Sequence, residues 1–380
     1  MSAAGGPAPA RPHDRTAIAA GLAVGGCLTW NVSNVGAVAD PLASTYGVSL
    51  AAIGLLTTAL FVSHLLVQLP AGRASDRFGS RSVALAAIAV AVLGNTILLA
   101  DDAYPLALLG RLVVGLGSGA AFVSGLDLVR AGGGGPKLQG LYGGATMTGG
   151  GLALMVVPPL TAATSWRAPY WTAALLAAAA AIPTVVASGL PRVGHAPAWV
   201  LRDPHLLPLG VLQAATFGLA VIAGNWAVPL LERRGAGPAA AGIAGGLILF
   251  AGILTRPLGG VLAAHRRRRR AVALSLLGVA VGAALLAVGI AFALDVVGSV
   301  LLGLAAGVPF AVLFAAAQRL RPDAPAAAIA LVNACGVLTI LVGTPLAGLA
   351  FALPGDGAAA FAGIAALALL SLVALRRATV

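Results

Sequence analysis

Charged residues are scarce in this sequence. Asp, Glu, Lys and Arg make up 9% of its 380 residues, whereas hydrophobic residues make up 59% and the mean hydropathy is +0.99. Soluble globular domains carry about 25% charged residues. A chain with so few charges cannot cover a water-facing surface of this size, which excludes a soluble globular fold.

Cysteines and clustered polar groups are also scarce. The two cysteines, Cys27 and Cys335, lie inside apolar runs without a CxxC or His-rich spacing, so the sequence predicts neither a disulfide framework nor a metal site. It contains no Walker-type phosphate loop, and no Ser, His or carboxylate residues gather at one depth as a catalytic site requires. We therefore expect no cofactor, no ATP hydrolysis and no enzymatic activity. The short tails also leave no room for the soluble domain of a receptor.

Long apolar runs fill most of the chain. Each of twelve runs of about 20 residues can cross the ~30 Å hydrocarbon core of a bilayer as a helix. The predicted fold class is therefore an all-α membrane protein with twelve transmembrane helices. The predicted helices cover 17–38, 51–71, 82–100, 105–128, 138–162, 168–189, 206–230, 239–262, 271–291, 296–317, 325–348 and 357–375.

The polar stretch 190–205 divides these runs evenly. It predicts a disordered cytoplasmic tail at 1–16, a six-helix bundle at 17–189, a cytoplasmic linker at 190–205 and a second six-helix bundle at 206–375. The first apolar run lacks a cleavage site, so we interpret it as a retained helix and not as a signal peptide.

The basic residues indicate topology and not nucleic acid binding. The net charge is +12, but the arginines fall in short clusters between apolar runs and do not follow one face. With both termini in the cytoplasm, the inner loops hold most of the basic residues, as the positive-inside rule requires. The run 266–270 is interpreted as such a signal, facing lipid. We expect a multi-pass monomer in the cell inner (plasma) membrane, with the lipid bilayer as its partner.

An internal repeat appears at an offset of 188 residues. The stretch PLASTYGVSLAAIG from Pro41 matches PLLERRGAGPAAAG from Pro229, and GRLVVGLGSGAAF from Gly110 matches GSVLLGLAAGVPF from Gly298. Two separate stretches that share one offset indicate a duplicated six-helix unit, hence two pseudo-symmetric bundles. Halves of the same topology are related by an axis along the membrane normal, and substrate sites then lie near the midplane between them.

The stretch LPAGRASDRFGSRSV between helices 2 and 3 resembles the Gly-x-x-x-Asp-Arg-x-Gly-x-Arg/Lys pattern of the Major Facilitator Superfamily. The resemblance implies a secondary transporter that works by alternating access, with a latch between its halves on the cytoplasmic side. Small residues let membrane helices approach closely, and a carboxylate can accept hydrogen bonds from a helix N-terminus. The degenerate copy RPLGGVLAAHRRRRR carries Ala264 where the first copy has Asp76. The alternative is that these charges only set topology. The carboxylate of Asp76 can also pair with a nearby arginine, for which Arg130 is the expected partner. The candidate latch residues are Gly72, Asp76, Arg77, Gly79, Arg81 and Arg130.

Polar side chains within the spans are candidates for substrate binding or ion coupling. Arg111 resembles the family's helix-4 arginine that faces the cavity, although an arginine can also snorkel to the outer interface. His64 could carry a coupling proton or be a core histidine. The amides and indoles could orient a small polar solute or simply bridge helices. The candidates are Trp30, Asn31, Asn34, His64, Arg111, Asn225, Trp226 and Asn333.

Two further expectations concern charges near helix ends. Asp127 and Arg130, three residues apart, are expected to form a local ion pair. Arg256 is expected to reach the cytoplasmic interface from the end of helix 8.

The substrate class follows from Arg111, which has no obvious carboxylate partner. We expect a small solute, with a small anion favoured. The alternative is a proton-coupled exporter of hydrophobic or cationic compounds. The glycine-rich fifth helix and the TRPLGG stretch resemble the cyanate and nitrate/nitrite porter branches, but the helix-2 and helix-7 arginines of the nitrate branch are absent.

Overall fold

The computed structural model describes residues 14–188, 203–351 and 353–380, and all regular structure in those ranges is helical. Twelve long helices follow one another. They are α1 (Arg15–Ser33), α2 (Leu50–Phe78), α3 (Ser80–Ala100), α4 (Tyr104–Ala131), α5 (Pro136–Ala163), α6 (Ala168–Val186), α7 (Leu207–Gln213, Ala214–Gly218 and Leu219–Arg233), α8 (Pro238–Ala263), α9 (Arg268–Val288), α10 (Phe292–Gly307 and Pro309–Leu320), α11 (Pro325–Ala350) and α12 (Ala358–Leu370 and Leu372–Arg377). A short helix, Ala39–Tyr46, lies between α1 and α2.

These helices match the predicted spans in number and order. Eleven of them are long and apolar enough to cross a membrane. The twelfth, α5, has 28 residues, which at 1.5 Å per residue gives about 42 Å, more than the hydrocarbon core requires. Residues 1–13 of the predicted tail and residues 190–202 of the predicted linker lie outside the described residues.

Local signals set several helix ends. Asp14 caps α1 by accepting hydrogen bonds from the backbone N–H groups of Thr16 (3.0 Å) and Ala17 (3.1 Å). The hydroxyl of Thr16 and the N–H of Ala17 lower the pKa of this carboxyl. Pro136 and Pro325 begin α5 and α11, where a missing N–H costs nothing.

The end of α2 differs from the prediction. This helix continues to Phe78 and not to residue 71, so Asp76 and Arg77 lie on its last turns and not in a loop. Apart from Gly72, no residue between 71 and 78 disfavours a helix strongly. Gly79, with φ +90°, then makes the turn into α3, a conformation that residues with a Cβ rarely adopt.

Helix packing follows the internal repeat. Among the first six helices, α1 packs on α4, α5 and α6, and α4 packs on α2 and α3. Among the last six, α8 packs on α7 and α10, and α9 packs on α10 and α12. The two sets meet mainly where α2 contacts α11 and where α5 contacts α8. One segment of α7, Ala214–Gly218, is π-helical, an irregularity that often occurs at functional sites.

Glycines 188 residues apart make the two inter-set contacts possible. A Cβ on Gly72 of α2 would lie 2.9 Å from the carbonyl oxygen of Ala326 in α11. A Cβ on Gly260 of α8 would come even closer to the carbonyl oxygen of Pro136 in α5. Because no side chain fits at either place, each glycine sets a backbone-to-backbone contact between the two sets of helices.

Candidate functional site

A small cavity, with room for one or two water molecules, lies where α5 faces α7, α8 and α10. Ten of its eleven lining residues are apolar, and the other is Arg256, which is the single charged residue in the lining. The apolar lining residues are Met147, Phe217, Ala220, Val221, Ile248, Leu249, Gly252, Gly303, Ala306 and Gly307. Apolar walls around one charged group are typical of a site for a ligand with an apolar body and one polar group, and this cavity must widen to admit such a ligand.

Arg256 holds its guanidinium across the two sets of helices. Its Nη1 donates hydrogen bonds to the carbonyl oxygen of Gly143 (2.5 Å) and to Oγ1 of Thr146 (3.1 Å), both on α5. Its Nε is buried and has no hydrogen-bond partner in the described residues. The guanidinium carbon lies 4.3 Å from the ring centroid of Phe310 and 5.7 Å from that of Phe217. Cation–π attraction therefore supplies part of its stabilisation.

The expectation that Arg256 reaches the cytoplasmic interface is wrong. Only 4% of its surface is exposed. α8 continues to Ala263 beyond it, so the side chain starts more than a helical turn inside the helix end. Gly143 leaves the space for it, since a Cβ there would lie 2.9 Å from Cδ of Arg256.

Asp76 joins α2 to the start of α11. Its two carboxylate oxygens face the backbone N–H groups of Ala326 (3.4 Å) and Ala327 (3.2 Å), and 1% of the residue is exposed. The first N–H groups of a helix have no partner inside the helix and carry partial positive charge. The carboxylate therefore accepts hydrogen bonds from N–H groups that have no partner inside α11. Gly72 lies one turn before Asp76 and contacts the same helix.

The other residues of the motif act within the first six helices. Arg77 is exposed, and its guanidinium lies over the ring of Phe78 at 4.9 Å. Arg81 donates to the carbonyl oxygens of Thr184 (3.2 Å) and Val185 (2.5 Å) at the end of α6. It thereby satisfies carbonyls that the helix end leaves free.

Arg130 forms its direct ion pair with Asp127. Its Nε lies 2.6 Å from Oδ1 of Asp127, which confirms the expected local ion pair. The hydroxyl of Ser80 donates to the other oxygen of Asp127. Arg130 and Asp76 are not among the direct ion pairs of the described residues, but the charge of Arg130 still attracts the carboxylate of Asp76 from nearby.

Amides form two more contacts between the two sets of helices. Gln139 on α5 and Gln318 on α10 exchange hydrogen bonds of 2.9 Å and 3.3 Å between their side chains. Nδ2 of Asn333 on α11 donates to Oε1 of Gln68 on α2 at 3.0 Å. Gln68 is the residue 188 positions before Arg256, so equivalent positions of the repeat both contact the opposite set.

Phe122 and Phe310 are also repeat equivalents, and their rings meet. The ring centroids lie 6.4 Å apart with an interplanar angle of 87°. Phe314 packs against both rings, 6.3 Å from Phe122 and 4.7 Å from Phe310. These aromatic side chains join α4 to α10, and the ring of Phe310 also lies against the guanidinium of Arg256.

Arg111 and three helix-1 candidates come together away from this cavity. Arg111 is fully buried and donates to the carbonyl oxygens of Leu56 (3.2 Å) and Asn31 (3.0 Å) and to Oδ1 of Asn34 (3.3 Å). Nδ2 of Asn34 donates to the carbonyl oxygen of Pro169 at 2.7 Å. The cluster therefore joins α1, α2, α4 and the start of α6.

Two more hydrogen bonds complete this buried cluster. Oδ1 of Asn31 accepts from Nδ2 of Asn95 on α3 at 3.0 Å, and Nε1 of Trp30 donates to Oγ1 of Thr172 on α6 at 3.1 Å. The guanidinium does not snorkel, and none of these side chains lines the cavity. Their contacts are those of helix-bridging groups.

The remaining candidates are dispersed. Nδ1 of His64 lies 2.9 Å from Oγ of Ser118, between α2 and α4. Nε1 of Trp226 donates to the carbonyl oxygen of Thr344 at 2.9 Å. Asn225 is exposed, four residues after the cavity-lining Val221 and hence on the same face of α7.

The family is decided by comparison with known proteins. The sequence pattern described as the Major Facilitator Superfamily matches residues 21–213, just over half of the chain. This chain belongs to the Major Facilitator Superfamily. A search of curated proteins finds no match. With the apolar helices described above, membership makes it a multi-pass membrane protein and a secondary transporter.

Solved structures of this superfamily share the fold. The human organic anion transporter MFSD10 (TETRAN) superposes with a TM-score of 0.76 at 18% identity, over 96% of this chain and 100% of that one. The E. coli fucose:proton symporter FucP superposes with a TM-score of 0.70 at 13% identity, over 94% and 98%. Both likenesses concern the fold, since the identities are low.

Several features of this transporter were missed from the sequence. Gln68, Phe122, Phe310 and the cavity position of Arg256 were not among the candidates. The signal was present in the repeat, because Gln68 aligns with Arg256 and Phe122 with Phe310 at the offset of 188. Of these two pairs, Phe122 and Phe310 meet each other, whereas Gln68 and Arg256 each bond to a different helix of the opposite set.

Proposed function

We propose that this transporter moves a small anion by alternating access and that Arg256 binds the anion. The observation that carries the proposal is a buried guanidinium in an apolar cavity without a carboxylate partner. An ionised group in the membrane interior costs free energy unless it is paired, and such groups commonly mark a substrate pathway.

The charge of Arg256 is not neutralised by any described carboxylate. Buried Asp76 and Asp127 have the partners given above, and Asp295 lies 3.2 Å from Arg234. The residues outside the described ranges contain no Asp or Glu. Glu232 lies fifteen residues beyond Phe217 on α7, hence about 22 Å along the axis. Asp40 belongs to the short helix after α1. The others are bonded at helix ends or exposed in loops: Asp14, Asp101, Asp102, Asp203, Asp323 and Asp356.

The geometry at Arg256 supports an organic anion with a compact apolar body. Nη1 is held by α5, whereas Nε is free, so the guanidinium can still offer an edge to a carboxylate or a similar group. The surrounding walls are apolar. In the described conformation the cavity holds only one or two water molecules, so the anion enters when the two sets of helices separate. The human structural relative is described as an organic anion transporter, which agrees with this class.

Alternating access requires the contacts between the two sets of helices to break. The Asp76–α11 contact and the Gln139–Gln318 pair join helix ends that the charge distribution assigns to the cytoplasmic side. The Phe122–Phe310 contact lies deeper, in the cytoplasmic halves of α4 and α10. We infer that the described conformation is closed on that side and that segments 17–189 and 206–375 move as two bodies. Gly72 and Asp76 form the latch, and Arg77, Gly79, Arg81 and Arg130 support the helix ends that carry it.

The location in the cell follows from the same charges. Loops and tails assigned to the inner side carry most arginines, which supports both termini in the cytoplasm and insertion in the inner (plasma) membrane. The cavity is formed within one chain, so a monomer suffices for transport.

The alternative function is proton-coupled export of hydrophobic or cationic compounds. His64 is the buried candidate for a coupling proton, and FucP is described as a proton symporter. A cationic cavity repels cationic drugs, so we favour the anion. The likeness to cyanate and nitrate porters stays a prediction, and inorganic anions belong in the assay below.

The test is transport and binding with Arg256 variants in proteoliposomes. Acetate, benzoate, methylphosphonate, cyanate, nitrate and the cation tetraphenylphosphonium form the panel. We expect at least one anion to be taken up, and Arg256→Gln to lower that uptake about 10- to 100-fold because a charge-assisted hydrogen bond is lost. Arg167→Gln, at an exposed arginine outside the cavity, serves as the matched control.

Gel filtration of each purified variant in detergent checks that the protein is folded and not aggregated. A folded Arg256→Gln protein that takes up the anion like the wild type would remove the proposal. Transport of tetraphenylphosphonium without any anion would favour export of cations.

A further inference from the structure

Arginines from three helices gather at one end of the last six helices. They come from the start of α9, the end of α10 and the end of α12. We call them the arginine cluster, which consists of residues 266–270, Arg319, Arg376 and Arg377. All of them are exposed except Arg268, which is half-buried. In the proposed orientation this end faces the cytoplasmic leaflet.

The members of the cluster are close in space and not only in sequence. Nη2 of Arg269 donates to the carbonyl oxygen of Arg376 at 3.3 Å, which ties α9 to α12. Arg319 lies near enough to Arg268 for their charges to repel. Nε of Arg268 is buried without a hydrogen-bond partner in the described residues. A topology signal needs only charges in a loop, so it does not explain this convergence.

No carboxylate neutralises the cluster. The three ion pairs in the described residues involve other arginines, namely Arg130, Arg234 and Arg321. Segments 1–13 and 189–202 contain no Asp or Glu. The equivalent positions of the first half, 78–82, hold one arginine, and this residue, Arg81, is bonded to the carbonyls of α6. A run of adjacent arginines at this position is thus a feature of one half.

We propose that the arginine cluster binds an anionic phospholipid that presents two phosphates, as cardiolipin does. Arginine forms paired hydrogen bonds with phosphate oxygens, and basic pockets between transmembrane helices bind such head groups. The lipid fits because the cluster lies at the membrane surface beside the exposed apolar side chains Leu274 of α9 and Val373 of α12. Two phosphates can bridge α9 and α12, where the arginines of both helices meet.

The experiment measures lipid affinity of the purified full-length protein in detergent micelles by native mass spectrometry. We expect cardiolipin to bind more tightly than phosphatidylglycerol, and phosphatidylcholine to bind weakly. Each arginine near an anionic surface contributes about a fivefold gain in affinity. Arg268→Gln combined with Arg376→Gln should therefore weaken cardiolipin binding roughly 25-fold. The control, Arg15→Gln combined with Arg73→Gln, removes two exposed arginines elsewhere on the same side and should bind like the wild type.

Equal cardiolipin affinity in the two double variants would overturn the proposal, as would equal affinity for cardiolipin and phosphatidylcholine. Inorganic pyrophosphate is the second arm. Pyrophosphate that displaces cardiolipin at equal concentration would show that the site takes a free diphosphate, and the lipid assignment would fall. Thermal unfolding of both variants without lipid checks that neither loses its fold.

Discussion

At the scale of single residues, two buried arginines differ in what holds them. The guanidinium of Arg111 is surrounded by oxygens of α1 and α2, and each of its three nitrogens donates. The guanidinium of Arg256 borders a cavity, and its Nε has no hydrogen-bond partner in the described residues. Arg111 therefore stabilises the packing of the first six helices, whereas Arg256 is available for a ligand.

Replacement of Arg111 separates these roles. Arg111→Met should lower the thermal stability of the purified protein, because buried carbonyl oxygens of two helices lose their donors at a cost of about 3 kcal/mol. Anion binding by the folded fraction should be retained. Differential scanning fluorimetry measures the first effect and a binding isotherm the second. A variant with the melting temperature of the wild type and no anion binding would contradict this assignment.

At the scale of helices, the proposed latch predicts that Asp76 influences the balance between the two conformations. Asp76→Asn removes a negative charge from the N-terminus of α11, an interaction worth about 1–2 kcal/mol in a buried geometry. We expect the population open to the cytoplasm to rise about 5- to 30-fold. Spin labels are attached to cysteines that replace Arg73 and Asp323, both of which are exposed. The distance between the two labels should be longer in the variant.

The spin-label experiment uses a background in which Cys27 and Cys335 are serine. Arg15→Gln is its control, since Arg15 lies at the start of α1 and away from α11. Identical distance distributions for Asp76→Asn and the control would show that this contact is not a latch.

The helices were predictable because the bilayer sets their length, but their ends and contacts were not. α4 and α11 lie within a few residues of the predicted spans. α2 runs past its predicted end, because charged residues at the interface continue a helix until Gly79 stops it. The motif indicated a helix N-terminus as the partner of Asp76, which α11 provides. The position of Arg256 depended on Gly143 of α5, more than a hundred residues away, and no local pattern reports such a contact.

At the scale of the whole molecule, a symmetric scaffold carries asymmetric chemistry. The repeat places Gly72 and Gly260 at equivalent contacts and brings Phe122 against Phe310. Polar groups break the symmetry. Asp76 has Ala264 as its equivalent, and Arg256 has Gln68. In our proposal the duplicated framework supplies the two bodies, and single substitutions on one side supply the latch and the anion site.

Movement of the two bodies can be tested where the rings of Phe122 and Phe310 meet. In the cysteine-free background, Phe122→Cys with Phe310→Cys joined by a short bifunctional maleimide should lower transport at least about tenfold, because α4 and α10 can no longer separate. Proteoliposome uptake before and after cross-linking measures this. The control joins Phe310→Cys to Phe314→Cys, which lie on one helix, and should leave uptake unchanged by the reagent. Full transport in the cross-linked Phe122–Phe310 pair would rule out rocking of these bodies.

The span of Arg256 across the two bodies has an energetic consequence. Its side chain starts on α8, but its Nη1 is held by α5, so separation of these helices breaks two hydrogen bonds in one movement. A bound anion accepts hydrogen bonds from the guanidinium and compensates for that loss. In the empty cavity, only water that enters can replace them. The loaded carrier therefore crosses a lower barrier than the vacant one, and solute on the far side should accelerate the return, so that countertransport runs faster than net flux.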